Sequence, residues 1–284
     1  MTVPDYMLDQ NAVLRDNVAW RHGSIPDYSM ANAAFETEAS KRHKPGSMED
    51  MISNLVKNWE KEASYKLKAG ICSLQYGTEE WRTIDHTQYT FSCNGGPVYS
   101  CEDMMRLGTY SALIGESAFF SSSSTTFEDS HRTFREAMPG GFAWEAVEVY
   151  SGPPVASFKW RHWGRMTGKL RCPVGPGTFV DAPPHGGMVE LWGVGIAHIN
   201  PKYQITKIEI YYDPHELMGN MVGARNLCPV PHNKTSGFAS PSHNNALRKS
   251  LDALRRTSTD SMNRFNRLNL NRGDSLLSEL DDDW

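Results

Sequence analysis

The sequence predicts an α+β fold, a strongly curved antiparallel sheet wrapped around helices, and three observations lead there. Apolar residues in the first half recur at helical spacing, most clearly Met48, Met51, Ile52, Leu55, Val56, Trp59 and Ala63. From residue 142 the period falls to two, in segments rich in aromatic and β-branched residues. Those strand-like segments follow one another with few helical interruptions. Helices first and neighbouring strands afterwards place the helices on one face of a sheet.

Residues 1–19 are polar and read as an irregular lead-in. Trp20-Arg21-His22-Gly23 opens a loop through Pro26, and residues 29–42 are expected to be helical. Ser47 is the N-cap of the next helix, with Glu49 and Asp50 in its first turn, and its apolar stripe is expected to face the core. Residues 70–99 hold a short strand and loops around the turn cluster Asn94-Gly95-Gly96-Pro97. Ser100, with Asp103 near the third position, caps a helix over about 101–115, and another helix spans 128–138. Strands follow at 142–150 and 155–163, joined by the turn Ser151-Gly152-Pro153-Pro154. The segment from Cys172 to Gly187 reads as a long connection before strands at 189–199 and 205–213. Gly193 and Gly195 lie inside a strand with no helix after them, so they read as relief where the sheet bends.

Beyond residue 228 the composition shifts to Ser, Asn, Arg and Pro. Seven basic residues face two acids between Leu247 and Arg272, and five acids follow from Asp274. Three parts are expected: the lead-in 1–19, a domain over 20–227, and a flexible tail over 228–284, basic and then acidic. Arg255-Arg256-Thr257-Ser258 matches a basophilic kinase site, which makes a kinase acting near Ser258 an expected partner.

With a net charge of −4, the chain lacks the basic footprint of a nucleic-acid binder. No apolar run is long enough to cross a bilayer and no hydrophobic signal core opens the sequence, so a soluble cytoplasmic protein is expected. That expectation discounts the glycosylation sequon at Asn233-Lys234-Thr235. The five cysteines are widely spaced, match no zinc-ligand pattern and read as free thiols. Phosphate-cradling loops and a Gly-x-Ser-x-Gly elbow are absent, so neither a metal nor a nucleotide cofactor is expected.

Trp20 to Gly23, Lys44 to Lys66, Phe142 to Tyr150, Phe158 to Gly164, Pro183 to Gly187 and the strand around His198 together resemble the plant pathogen-related protein family. That family falls within the cone-shaped superfamily of SnoaL-like polyketide cyclases and ketosteroid isomerases. The resemblance covers residues 18–221 and implies a bent sheet around an apolar cavity, with homodimerisation through the outer sheet face. It also implies a cofactor-independent acid/base enzyme of isomerase, cyclase, dehydratase or epoxide hydrolase type, acting on a small hydrophobic oxygenated metabolite. The alternative is a non-catalytic small-molecule-binding or stress-response protein using the same cavity. For the plant family the resemblance carries no defined reaction. Tyr211-Tyr212-Asp213-Pro214 is similar to the strand-end motif that supplies the acid or base in the cyclases, which makes Asp213 the matching position.

Alternation along the strands supplies the rest of the expected site. Glu190, Trp192 and His198 share one face of their strand, and Glu209, Tyr211 and Asp213 share one face of the next. If these faces turn inward, Asp213, His198, Glu190 and Tyr211 form a carboxylate–imidazole–phenol group suited to proton transfer. Trp160, Arg161, His162 and Trp192 are the expected binding residues on the strands, although Arg161 suits a structural salt bridge better than a ligand contact. His22 and His185, each followed by glycine, are expected to close over the mouth from loops.

Overall fold

Residues 5–15, expected to be irregular, form two turns of 3-10 helix in the computed structural model, Asp5–Met7 and Ala12–Arg15. The side chain of Asn58 holds both turns. Its amide donates to the carbonyls of Tyr6 (3.0 Å) and Asp9 (2.7 Å), and its oxygen accepts from the Val13 N–H (3.2 Å). Tyr6, Met7, Ala12 and Val13 are thereby buried. The described residues are 2–67 and 80–223, and all lie in one unit, Met1–Cys228. The tail with its kinase motif and sequon, together with Cys72 and Cys228, lies outside the described residues.

Helix α1 (Ser29–Glu38) ends earlier than its expected limit. The Ser40 and Lys41 amides donate to the Glu145 carboxylate (3.2 and 3.0 Å), which draws the chain out of the helix. Helix α2 (Met48–Tyr65) starts as expected, with the Ser47 hydroxyl accepting from the Asp50 amide (3.3 Å). Its stripe buries Ile52, Leu55, Val56, Trp59 and Ala63.

The single helix expected over 101–115 is two, α3 (Cys101–Leu107) and α4 (Thr109–Ile114). Gly108 breaks it at φ 85°, where a Cβ would lie 3.1 Å from the Phe127 ring and 3.2 Å from that of His131. Helix α5 (Phe127–Ala137) follows, capped by Thr126.

The main sheet contains β1 (Thr90–Cys93), β2 (Val98–Tyr99), β3 (Phe142–Ser151) and β4 (Val155–Arg165). The segment expected to be a long connection holds a separate hairpin, β5 (Leu170–Gly175) and β6 (Thr178–Ala182), turned at Pro176-Gly177 and packed against α5. Its buried residues include Leu170 and Cys172, two apart on β5, and Ala182, paired opposite Leu170, which a Gly/Pro-based reading overlooks. Strands β7 (Met188–Ile199) and β8 (Ile205–Tyr212) complete the sheet, in the order β2-β1-β8-β7-β4-β3. Every pairing is antiparallel except that of β1 with β8, which is parallel from Thr90–Lys207 to Cys93–Ile210. The sheet is therefore mixed.

Two register shifts between β3 and β4, and another between β7 and β8, bend the sheet. Opposite them, Gly193 and Gly195 admit the rings of Trp160 and Phe158 where a Cβ would lie within 2.5 Å of ring carbon. Helix α6 (Pro214–Val222) closes the unit, capped by Asp213 and ended by Gly223 in the left-handed region.

Behind α2 lies a buried ionic cluster. Lys66, fully buried, pairs with Glu62 (2.8 Å) and Asp16 (2.6 Å) and also donates to the Glu80 carbonyl. Arg82 bridges Asp16 and Asp5. No helix among the described residues is long and apolar enough to cross a membrane.

Candidate functional site

Between the inward face of the sheet and the helices α1, α2, α4 and α5 lies a cavity of about 890 Å³. Alternation on β4 turns Phe158, Trp160 and His162 into it, and β3 adds Trp144. Strand β7 contributes Leu191 and β8 contributes Ile210 and Tyr212. This wall is aromatic and apolar. The helical side is mixed: Trp59, Leu113 and Phe134 continue the apolar lining, while Tyr28, Glu60, Tyr65 and Tyr110 form a polar end.

Glu60 organises that end. Its Oε2 accepts from the Tyr28 hydroxyl (2.8 Å) and its Oε1 from the Ser64 hydroxyl (3.0 Å). Tyr28 meets Tyr65 edge to face at 5.8 Å, and Tyr110 stacks on Phe134 at 4.2 Å. Burial pushes the Tyr65 phenol up to about 12, and the nearby charge of Glu60 pushes it the same way. Burial raises Tyr28 and Tyr110 well above the ordinary phenol range too. The three phenols therefore remain neutral donors at physiological pH. At the rim stands Arg135, exposed and free of any ion pair among the described residues.

On the sheet side two groups stay polar without an ionic partner. The Trp160 indole N–H is buried and has no hydrogen-bond acceptor among the described residues. Burial drives the His162 imidazole down to about 3, against a weaker opposing pull from a hydrogen bond with the Phe142 backbone. His162 lines the cavity, and at neutral pH it is an uncharged ring stacked obliquely on Phe142 (3.7 Å). Among the described residues no group of three or more His, Cys, Asp and Glu side chains could hold a metal ion.

One known relative fixes the kinship. Over 225 residues the chain is 32% identical to the pathogen-related protein of barley (Hordeum vulgare), spanning 77% of this chain and 86% of that one. The chain belongs to the pathogen-related protein family. No family model matches the sequence. Solved structures resembling this family member include one provisionally described as a polyketide cyclase, from Acidithiobacillus ferrooxidans (10% identity, TM-score 0.34, 64% of this chain and 99% of that one). Another, provisionally described as a SnoaL-like polyketide cyclase, comes from Jannaschia sp. (13%, TM-score 0.30, 64% and 98%). A phenazine biosynthesis-related protein from Pseudomonas aeruginosa is similar at 11% identity and TM-score 0.29, with 56% and 79% covered. These likenesses are distant, and the chemistry of the family member has to be read from its own cavity.

Of the residues expected in the site, Trp160, His162 and His22 line the cavity. The others do not, and the four expected catalytic groups are not gathered into it. The reason is strand parity. On β7 the inward positions are Leu191, Gly193, Gly195 and Ala197, which leaves Glu190, Trp192 and His198 on the outer face. On β8 the inward positions are Ile208, Ile210 and Tyr212, so Tyr211 is exposed beside the partly exposed Glu209. Asp213 caps α6, accepting from the His215 amide (2.8 Å). His198 lies 4.0 Å from Glu209, which Lys207 pairs at 3.0 Å.

Arg161 sits between Glu145 (3.1 Å) and Glu190 (2.5 Å) and stacks on Trp163, an arrangement that ties the α1 terminus to the sheet. His185 straps its loop by donating from Nε2 to the Asn220 carbonyl (3.1 Å) while Nδ1 accepts from the Gly187 amide (2.9 Å). Spacing alone does not mark the polar end built on Glu60, because polar residues such as Lys57, Glu60, Lys61 and Ser64 beside an apolar stripe ordinarily face solvent. The row recurs at three-to-four spacing within α2 and ends beside Tyr65. That was the available signal.

Two histidines, His131 in the core and His162 on the cavity wall, set an acid limit. His162 falls to about 3, and His131, stacked on Phe127 (4.1 Å), falls to about 4, with burial the leading cause in both. Both folded values lie below the ordinary 6.5, so the unfolded chain binds more protons in between. The stability they contribute is complete above about pH 6.5 and falls as pH drops toward the folded values. Urea midpoints are expected to decline between pH 6.5 and 4, with a slope of up to about 1.4 kcal/mol per pH unit for each proton. His131→Gln is expected to flatten that decline in part; an unchanged slope would show that His131 does not contribute to it.

Proposed function

We propose that the cavity binds a small hydrophobic molecule carrying oxygen, and that Glu60 with Tyr28 performs acid–base chemistry on it. The observation supporting this is the position of one carboxyl group, hydrogen-bonded to a phenol, at the polar end of an otherwise aromatic cavity. A carboxylate there removes a proton next to a carbonyl, and the neutral phenols beside it donate to the developing enolate oxygen. Isomerisation, cyclisation and dehydration share that step. Proton transfer needs no more than these side chains. The apolar wall of Phe158, Trp160 and Ile210 supplies the area that holds a ring system.

A second reading follows from the same carboxyl. Both Glu60 oxygens already accept a hydrogen bond, from Tyr28 and Ser64, and a group so satisfied also suits a cavity that holds its ligand unchanged. We further propose that two copies of the chain pair through the outer sheet face, a reading supported by the exposure of Trp192, Val194 and Tyr211 there.

Native mass spectrometry of the purified protein, followed by extraction, identifies any retained molecule and supplies a candidate substrate. Glu60→Gln keeps the size and one accepted hydrogen bond, reverses the other so that the amide NH2 donates to a hydroxyl oxygen, and removes the base. It is expected to retain binding within about threefold and to lose turnover by about 10²–10⁴-fold, the range typical of general-base removal. Full turnover in Glu60→Gln would overturn the catalytic assignment. Unaltered ligand recovered from both proteins would favour carriage. An apo mass unchanged after incubation with cell extract would count against the cavity as a ligand site.

A further inference from the structure

Two lysines of α2 and its C-terminal cap are fully or almost fully buried, and the fold treats them differently. Lys66 is 0% exposed and sits between two carboxylates, those of Glu62 and Asp16. Lys61 is 3% exposed and makes no ion pair among the described residues. Its Nζ donates to the Lys57 carbonyl at a long 3.3 Å and lies 4.5 Å from the centre of the Tyr28 ring. A buried ammonium without a counter-ion is costly, and the usual outcome is loss of its proton. Burial pushes Lys61 down to about 8, against the weaker opposing pull of Glu60 and Asp9. A structural lysine would be paired as Lys66 is. Lys61 instead lines the cavity, next in sequence to the carboxyl group at its polar end.

We propose that Lys61 is a nucleophilic amine of this cavity and that its ligands are aldehydes or ketones, held as an imine. This rests on the reading of the cavity as a site for an oxygen-bearing molecule, and it names the class. The neutral amine attacks the carbonyl carbon, the π pair moves to oxygen, and a proton passes from nitrogen to that oxygen, giving a carbinolamine. Glu60 and Tyr28 supply the proton with which the hydroxyl leaves as water and take back the one released from nitrogen. The products are one imine and one water. Lys57 is the competing amine. Burial and the charge of Lys61 lower it also to about 8, but its Nζ is engaged by Gln10 Oε1 (2.8 Å) and covers the Phe35 ring (3.8 Å).

The test uses the full chain at neutral pH with naphthaldehyde as the carbonyl probe, sodium cyanoborohydride to reduce the imine, and peptide mapping of the adduct. Naphthylmethanol, which cannot form an imine, reports binding alone through quenching of tryptophan fluorescence. Lys61 presents on the order of a hundredfold more neutral amine at pH 7 than a solvated lysine, so the dominant adduct is expected there. Lys61→Met, which keeps the apolar stem, is expected to bind naphthylmethanol and to lose that adduct. The mapping of the unaltered chain stands by itself should the variant fold poorly. Adducts spread over surface lysines, or found on Lys57, would overturn the assignment. Naphthylmethanol bound without an aldehyde adduct would remove the imine and leave the cavity reading intact. Binding of neither probe would remove both.

Discussion

Glu62→Ala is expected to lower the free energy of unfolding by about 3–5 kcal/mol, the range for breaking a buried pair from one side. Glu62 is fully buried and accepts four hydrogen bonds. They come from Lys66 Nζ (2.8 Å), the Arg82 amide (3.0 Å), and the amide and hydroxyl of Thr83 (3.1 and 2.5 Å). Alanine takes this acceptor from the Arg82 amide and from the amide and hydroxyl of Thr83, and leaves the Lys66 ammonium with Asp16 as its remaining carboxylate partner. Urea unfolding at neutral pH measures the loss, and a value below about 1 kcal/mol would contradict the account. The double variant Glu62→Ala with Lys66→Met is expected to recover part of it, since the stranded charge is then gone.

Gly193→Val is expected to cost about 3 kcal/mol, the upper part of the usual range for overpacking. An added Cβ at this inward position would meet Trp160 Cζ2 at 2.3 Å and the Tyr211 carbonyl oxygen at 2.5 Å. The carbonyl belongs to the neighbouring strand and yields little, so the Trp160 ring has to move into the cavity. The same variant is therefore expected to weaken binding of an apolar probe by about tenfold or more, a loss of at least about 1.4 kcal/mol. Calorimetric melting and a fluorescence titration read the two effects separately. A stable protein with unaltered binding would show that the bend does not depend on this glycine.

Local chemistry was readable in the sequence wherever one residue settles it. Ser47 and Ser100 cap the helices expected of them, and Ser100 with Asp103 completes a capping box. The strands at 142, 155, 189 and 205 are present within a few residues. What the sequence does not carry is the sense of a face. On β7 both parities hold credible core residues, since Val189, Leu191, Ala197 and Ile199 alternate with Trp192, Val194 and Ile196. Ionisable groups drew attention to the wrong side, and the two glycines marking the inward side were read as a bend alone. They are the bend and also the floor beneath Trp160 and Phe158. Asp213 shows the same ambiguity at one residue: a strand-end aspartate before proline fits an acid/base group and a helix cap equally, and it is the cap. Glu60 was hidden for a tertiary reason. Its role depends on Tyr28 from α1 closing over α2, and no spacing within either helix encodes that.

The parallel pairing of β1 with β8 has a consequence for how the chain is made. Thr90 finds its neighbour at Lys207, so a nascent polypeptide emerging amino end first holds β1 with only the short β2 beside it until most of the unit has been synthesised. Over that interval Phe91, wholly enclosed at the end, and the apolar stripe of α2 have no sheet to cover them. Late long-range closure of this kind slows folding and prolongs exposure to aggregation. Translation rate and chaperone supply should therefore govern the yield of this protein more strongly than small changes in its final stability.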